Sequence, residues 1–494
     1  MKANLKFNIY LLIFSWLFIS NLGNAEDGLL NIRKAVVQIR TTKAEPDIMQ
    51  PWKMSDSRNS RGSGFYIGNN MILTNAHVVA YSRYISVRKH LSAKALPAKV
   101  AFISHDSDLA IVKLDTHDET FFSGMQPIKI SGIPAHGSPV TTVGYPLGGD
   151  QISTTKGVVS RISYRTYAHS EVVSLPLIQV DSAINPGNSG GPVIQGDKAI
   201  GVAFQSLTSG QNTNYIIPAP VIEHFLKDIE DQELSGHPAV GLALDGGTLL
   251  NPDKRSYYGL DQFPEFANMG VPINALHFWS PFRDVLRVDD IILAIDDYEV
   301  GADGNIEIFG ERLPLYTAFD LKNYLDPIKL KVLRDKKVLT IDTEVKKPLQ
   351  FFDHRINFDE PEYFIHSGLV FAYLNRNLLK NFKESHRLHF TYQYFHTLEN
   401  FSKLHSAVVL INRLANKTNL DARYFIGEIL HKIDGKDITS LAQVKAALEN
   451  NKTRFATLSF WQRPEPLILD RELLKSQHEK ILLRNQINKS FLIK

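Results

Sequence analysis

The sequence predicts a mainly β chain, with an antiparallel barrel or sandwich domain followed by two smaller α+β domains related to each other. Three observations predict it. Short β-rich runs recur from Ala35 to Pro218 with no helical period between them. An acidic–apolar pattern ending in Ile-Asp and a turn occurs twice in the remainder, at Asp290–Asp297 and Glu428–Gly435, about 138 residues apart. Finally, 494 residues exceed one ordinary core, so about three domains are expected.

The strand candidates come in order as AVVQI (35–39), GFYI (64–67), MILT (71–74), AIVKL (110–114), PVTTVGY (139–145), LIQV (177–180), AIGVAF (199–204) and NYIIP (214–218). Each is rich in β-branched and aromatic residues and bounded by Gly, Pro, Asn or Asp. The segment 219–231 then places Val221, Ile222, Phe225 and Ile229 on one helical face, and Ser235-Gly236-His237-Pro238 reads as a linker. Each copy of the repeated pattern precedes an amphipathic helix candidate, 318–325 in the first and 441–448 in the second. Two copies indicate two related domains, because a solenoid needs more repeats. The stretch 471–488 closes the chain with Leu473, Leu474, His478, Ile481 and Leu482 at helical spacing.

Composition narrows the function classes. Lys2 and Lys6 supply two of the three net positive charges, which leaves +1 beyond residue 25. So neutral a chain gives no electrostatic footprint for nucleic acid or an anionic membrane. The absence of cysteine excludes disulfides, thiolate metal sites and a cysteine nucleophile. At the N-terminus, Lys2 and Lys6 precede an apolar run at 9–19 and a polar stretch ending Gly23-Asn24-Ala25. That pattern reads as a secretory signal cut after Ala25, and the run is shorter than the roughly 18 residues of a spanning helix. The mature chain is therefore expected to be exported, periplasmic or secreted, with no membrane span.

Three motifs carry chemistry. They are Thr74-Asn75-Ala76-His77-Val78-Val79, Asp106-Ser107-Asp108-Leu109-Ala110 and Gly187-Asn188-Ser189-Gly190-Gly191-Pro192. A serine hydroxyl becomes a competent nucleophile when an imidazole takes its proton. A buried carboxylate on the other ring nitrogen fixes the tautomer and stabilises the imidazolium. Glycines beside Ser189 let the N–H groups of Gly187 and Ser189 converge on a developing oxyanion. His77, Asp108 and Ser189 in this order on a β-rich domain thus predict a serine-nucleophile triad. Asp108 directly precedes an apolar strand and should be fixed there, whereas Asp106 should be solvated in the turn. The histidines His90, His117, His136, His169 and His224 show no metal spacing, HExxH is absent, and no cofactor is expected.

At these residues the chain resembles the Deg/HtrA family of serine proteases. The matching strings are GSGFYI (62–67), ILTNAHVV (72–79), SDLAIVKL (107–114), VGYPLGG (143–149), GVVSRI (157–162) and DSAINPGNSGGPVI (181–194). The phrases VDDIILAIDDYEV (288–300) and EPEYFIHSGLVFAYL (360–374) are similar to the branch best known from plants. The resemblance implies a chymotrypsin-like double β-barrel at 29–232, a first PDZ domain at 237–347, a second, divergent PDZ domain at 352–464, and a C-terminal helix and tail at 465–494. It implies an ATP-independent endopeptidase for unfolded or damaged exported proteins, assembled from trimers. Val240, Gly241 and Leu242 resemble the loop that holds a peptide carboxylate, while Asp289 and Asp297 stand where many PDZ domains have Gly. In chymotrypsin-like enzymes the residue six before the nucleophile, here Ala183, lies at the base of the specificity pocket. Ile184 beside it and Ile217 on the following strand imply an uncharged pocket. Two other readings remain, a peptide-binding holdase with weak or regulated proteolysis and a secreted protease acting on a host protein.

Overall fold

The computed structural model describes residues 28–115, 120–147, 149–206, 214–348, 356, 358–397, 406–461 and 463–494. The predicted signal segment lies outside them. The chain forms two compact units. One holds residues up to Lys43, Arg58–His237 and Asn305–Asn323, and the other holds Ala44–Ser57, Pro238–Gly304 and Tyr324–Lys494.

The first unit is built on two closed antiparallel barrels. Barrel one is formed by β1 (Val36–Lys43), β2 (Arg58–Gly68), β3 (Met71–Thr74), β4 (Ser82–Lys89), β5 (Ala95–Ser104) and β6 (Leu109–Leu114), in the order β1-β2-β3-β6-β5-β4. After the two-residue strand β7 (Lys129–Ile130) come β8 (Pro139–Gly144), β9 (Ser153–Thr166), β10 (Ser174–Val180), β11 (Pro192–Gln195), β12 (Lys198–Ser206) and β13 (Asn214–Pro218). These run β11-β8-β9-β10-β13-β12, and the β11–β12 pairing closes the ring. Successive residues on a strand face opposite ways. Accordingly Ile72, Ala110 and Val112 belong to one buried cluster, while Leu73, Leu109 and Ile111 belong to another that includes Val143, Leu177 and Val202. The helix Ala219–Asp228 follows and buries Val221, Ile222 and Phe225 as its spacing predicts.

The second unit contains two sheets with the same internal plan. In one, Ile291–Ile295 lies between Val271–Leu276 and Pro327–Arg334, and in the other Glu428–Ile433 lies between Val408–Arg413 and Phe455–Phe460. The repeat seen in the sequence extends to details. Register shifts between Ile292 and Ala294 in one strand and between Leu430 and Lys432 in the other. Asp296 and Asp434 both take positive φ, near 50°, and each exchanges hydrogen bonds with the backbone of the neighbouring strand. The second helix candidate is Leu441–Asn450, opened by a Ser440–Gln443 capping box and burying Leu441, Val444 and Leu448.

Several boundaries differ from expectation. Strands β4 and β9 went unread because charged residues interrupt their apolar residues, and β5 was not singled out although it carries the run Val100–Ile103. The tail beyond 465 is integral to the last sheet: Leu467–Asp470 pairs with Phe455–Phe460, and Phe491–Leu492 pairs with Tyr363–His366. In the final helix, Arg471–Arg484, Leu474 and Ile481 are buried but Leu473 is exposed. The first helix candidate shrinks to Tyr316–Asp320 and belongs, with the hairpin Asn305–Ile308/Glu311–Pro314, to the barrel unit.

Asp320 on that short helix is half-buried and lies 2.7 Å from the Tyr164 hydroxyl of β9, while its own carbonyl accepts from His237 Nδ1. Burial pushes its carboxyl up from 3.8 to about 8, against the opposing pull of the Tyr164 hydrogen bond. Between those two values the folded chain keeps a proton that the unfolded chain has lost. Asp320 therefore contributes a stability that falls as pH rises through this window, by at most about 1.4 kcal/mol per pH unit. Replacing Asp320 by Asn removes that dependence. Urea unfolding midpoints at about pH 5 and pH 8 should fall more for the wild type than for Asp320→Asn, and equal falls would refute the assignment.

Candidate active site

Residues from both barrels meet at one cleft. Strand β3 ends at Thr74, and the one-turn helix Ala76–Val79 carries His77. Asp108 precedes β6 in the left-handed conformation, with φ 51°, and has no solvent exposure. Both of its carboxylate oxygens face His77: Oδ1 accepts from the backbone N–H at 2.6 Å, and Oδ2 lies 2.6 Å from Nδ1. Its carbonyl accepts from the Ala76 N–H and the Asn75 side chain. The carboxylate thus holds Nδ1 protonated and leaves Nε2 as the basic nitrogen. Asp106, expected in solvent, is buried as well, because the whole turn 106–108 tucks against the start of β6.

Ser189 reaches the cleft from the loop before β11. Gly187, with φ 100°, passes so close to the Tyr145 carbonyl that a Cβ would lie 2.4 Å from it, and at Gly190, with φ 85°, a Cβ would lie 2.1 Å from the Ser63 carbonyl. Only glycine meets these two demands. Among the described residues, the N–H groups of Gly187 and Ser189 donate to no other group, and the Pro186 carbonyl is engaged by the Leu147 N–H. Ser189 Oγ donates to the Phe204 carbonyl at 3.2 Å, and among the described residues no hydrogen bond joins it to His77. Both residues line one cleft, and catalytic hydrogen bonds commonly tighten only when substrate is bound.

Ser63 is a site residue that sequence reasoning missed. From β2 its backbone N–H donates to the Ser189 carbonyl, while its buried hydroxyl accepts from the Tyr145 N–H and donates to the Gly187 carbonyl at 2.7 Å. It fastens the nucleophile loop of barrel two to barrel one. The string GSGFYI contained it, but a serine among glycines reads as a turn. A second missed feature is a pair of half-buried imidazoles near His77. The His169 ring lies 6.3 Å from that of His77, and its Nε2 is 2.8 Å from His105 Nδ1. Burial lowers both, His105 to about 3 and His169 to about 4, so both are neutral at pH 7.

The remaining predicted residues lie elsewhere. Ala183 is exposed, Ile184 is buried, and Ile217 is buried in the apolar core; none lines the cleft of about 340 Å³ that holds His77 and Ser189. Asp181 accepts from the Val158 N–H and so ties down the local loop. In the second unit, Gly241 takes φ 62°, the Val240 carbonyl accepts from Ser280 Oγ, and Leu242 opens a strand paired with Leu276. Among the described residues no cluster of metal-ligating side chains occurs, and no helix is long and apolar enough to cross a membrane.

Residues 62–202 match the family model of the trypsin-like peptidase domain, and residues 353–491 match that of the PDZ domain. The chain is 32% identical over 433 residues to Protease Do-like 2, chloroplastic, of Arabidopsis thaliana, covering 86% of this chain and 69% of that one. The chain belongs to the Deg/HtrA family of serine proteases. Protease Do-like 4, mitochondrial, of the same plant is 40% identical over 344 residues, covering 69% of this chain and 65% of the relative. The chain thus spans a little under two thirds of that Do-like relative's length. Within the Deg/HtrA plan, the peptidase match contains His77, Asp108 and Ser189 together with Ser63.

The role of Ser63 is open to test. Ser63→Ala leaves a buried N–H and a buried carbonyl without their partner, a loss of about 1–3 kcal/mol. Urea unfolding should show a destabilisation of that size, and cleavage of denatured casein should slow at least tenfold. A casein rate within twofold of wild type would show that the loop holds its geometry without this tie.

Proposed function

We propose that the chain is a serine endopeptidase that hydrolyses peptide bonds in unfolded or damaged exported proteins, using neither ATP nor a cofactor. The observation that carries this reading is the buried Asp108 carboxylate bonded to His77 Nδ1, facing a loop that presents Ser189 and two uncommitted N–H groups. In the proposed cycle the Ser189 hydroxyl turns from the Phe204 carbonyl, His77 Nε2 takes its proton, and Oγ attacks the scissile carbonyl. The N–H groups of Gly187 and Ser189 stabilise the oxyanion, a contribution of about 3–4 kcal/mol for one donor. His77 then protonates the leaving amine, and water repeats the sequence to release the acid. Every proton and bond in this cycle comes from these residues, the substrate and water.

Val240, Gly241 and Leu242 are proposed to receive a peptide carboxylate beside a sheet edge. Assembly from trimers, and export directed by residues 1–25 to the periplasm or beyond, complete the reading. A holdase with regulated proteolysis is the second reading, favoured by the Ser189 hydroxyl resting on Phe204 instead of His77.

Ser189→Ala should abolish casein cleavage, by about 10⁴–10⁶ in turnover, without altering the fold. Activity within tenfold of wild type would reject the nucleophile. In the wild-type digest, sequenced products should end after Val, Ala, Ile or Leu, since an uncharged pocket desolvates Lys or Arg without compensation. A majority of cuts after basic residues would reject Ala183 as the pocket base.

Processing and assembly have their own measurement. Protein purified from its native envelope should begin at Glu26 by mass spectrometry and elute as a multiple of three chains by light scattering. A retained Met1 would overturn the export reading, and a fully active monomer the assembly reading.

A further inference from the structure

Barrel one carries a charge arrangement beside the cleft that is unfavourable on its own. In the β1–β2 pairing, Arg40 stands directly opposite Arg61, and Lys43 directly opposite Arg58. Like charges at opposed positions destabilise a sheet. Arg88 on β4 brings a third guanidinium to the same place. Asp150 meets all three, at 2.9 Å from Arg40, 3.3 Å from Arg61 and 3.6 Å from Arg88. One carboxylate against three guanidiniums leaves two positive charges. Lys43, whose ammonium donates to the His77 carbonyl, keeps a further positive charge close to the cleft.

Arg61 is also part of the cleft wall, together with His77 and Ser189. Its side chain is 41% exposed, so it reaches a ligand without large desolvation. Leu147 lines the same cleft and is 56% exposed, an apolar surface beside a cationic one. The cleft is bounded by Asn59, Ser60 and Arg61, by Val78 beside His77, and by Leu147 and Pro186. Ala183 and Ile184, where the side chain before the scissile bond is expected, do not line it. On the pocket assignment proposed above, a peptide crossing Ser189 lays its other half, the leaving-group half, in this cleft.

We propose that the cleft selects an acidic side chain within the first two residues after the scissile bond, with Arg61 as the residue that recognises it. The proposal rests on the protease reading above. Neighbouring side chains of an extended peptide point to opposite sides, so an acidic residue against Arg61 leaves its aliphatic neighbour for Leu147. Arg40 and Arg88 keep the local potential positive while Asp150 orients the guanidiniums, and a basic side chain meets uncompensated repulsion. Exposed pairs of this kind shift equilibria by a few fold and are screened by salt.

Internally quenched peptides test this, with Val before the scissile bond, amidated C-termini, and Glu, Gln or Lys at either of the two following positions. The amide excludes capture of a terminal carboxylate. At low salt, kcat/KM should favour Glu over Gln about fivefold, with Lys poorer still. Raising sodium chloride to 0.5 M should shrink the Glu preference toward unity for the wild-type enzyme itself. In Arg61→Gln, checked for folding by circular dichroism, the Glu-to-Lys ratio should fall at least threefold. Equal rates for the three peptides at low salt, or a preference for Lys, overturn the proposal and leave the protease reading standing. If no peptide of any composition is cut, the protease reading fails and this inference goes with it.

Discussion

A buried carboxylate must find its donors within reach, and Asp108 finds them in the three residues around His77: the Ala76 N–H and Asn75 side chain on its carbonyl, and the His77 N–H and ring on its carboxylate. That demand fixes local geometry tightly. It forces the left-handed backbone at Asp108 and ends β3 just before a one-turn helix. The ring is thereby aimed across the boundary between the barrels before any substrate arrives. The second barrel has to deliver Ser189 to the same point. Ser63 contributes to that registration, by bonding from β2 to the Gly187 and Ser189 carbonyls. Two closed barrels offer walls, and the Ser63 bonds tie them together beside Ser189.

What the sequence disclosed follows from where each strand lies. Strands β1, β3 and β6 feed alternate residues into two different buried clusters, so they read as unbroken apolar runs. Strands β4 and β9 have one wet face. Arg83, Tyr84 and Arg88 in β4, and Lys156, Arg161 and Arg165 in β9, broke the run that would have marked them. The His77–Asp108 pair and the Ser189 loop could be picked out because each sits in a short, chemically constrained string. Ser63, His105 and His169 were not, because their roles depend on contacts between segments tens of residues apart, and their residue types are ordinary at such positions.

The repeat in the second unit shows the same division between local and distant information. Asp296 and Asp434 announce themselves by the Ile-Asp-turn pattern, since an aspartate tolerates positive φ and can bond the adjacent strand. The segment 305–323 announces only part of a helix, because the rest is a hairpin whose place depends on partners elsewhere in the chain. Asp320 at its end is a carboxylate that an exposed, polar stretch would explain equally well. Only its place beside the Tyr164 hydroxyl, where burial raises its carboxyl, sets it apart.

These buried polar groups share one consequence for the chemistry. The imidazoles of His105 and His169 are kept neutral by burial, so close to His77 they add dipoles but no charge. Arg40, Arg61 and Arg88 remain partly in water and keep their charges, with the single carboxylate of Asp150 shared among them. The His77 imidazole thus has a neutral flank of imidazoles and a charged flank of guanidiniums near it. An imidazolium forming at His77 in the transition state draws its compensation from the Asp108 carboxylate, not from either flank. The charged flank is free to sort peptides because the buried carboxylate already meets the electrostatic demand of the reaction itself.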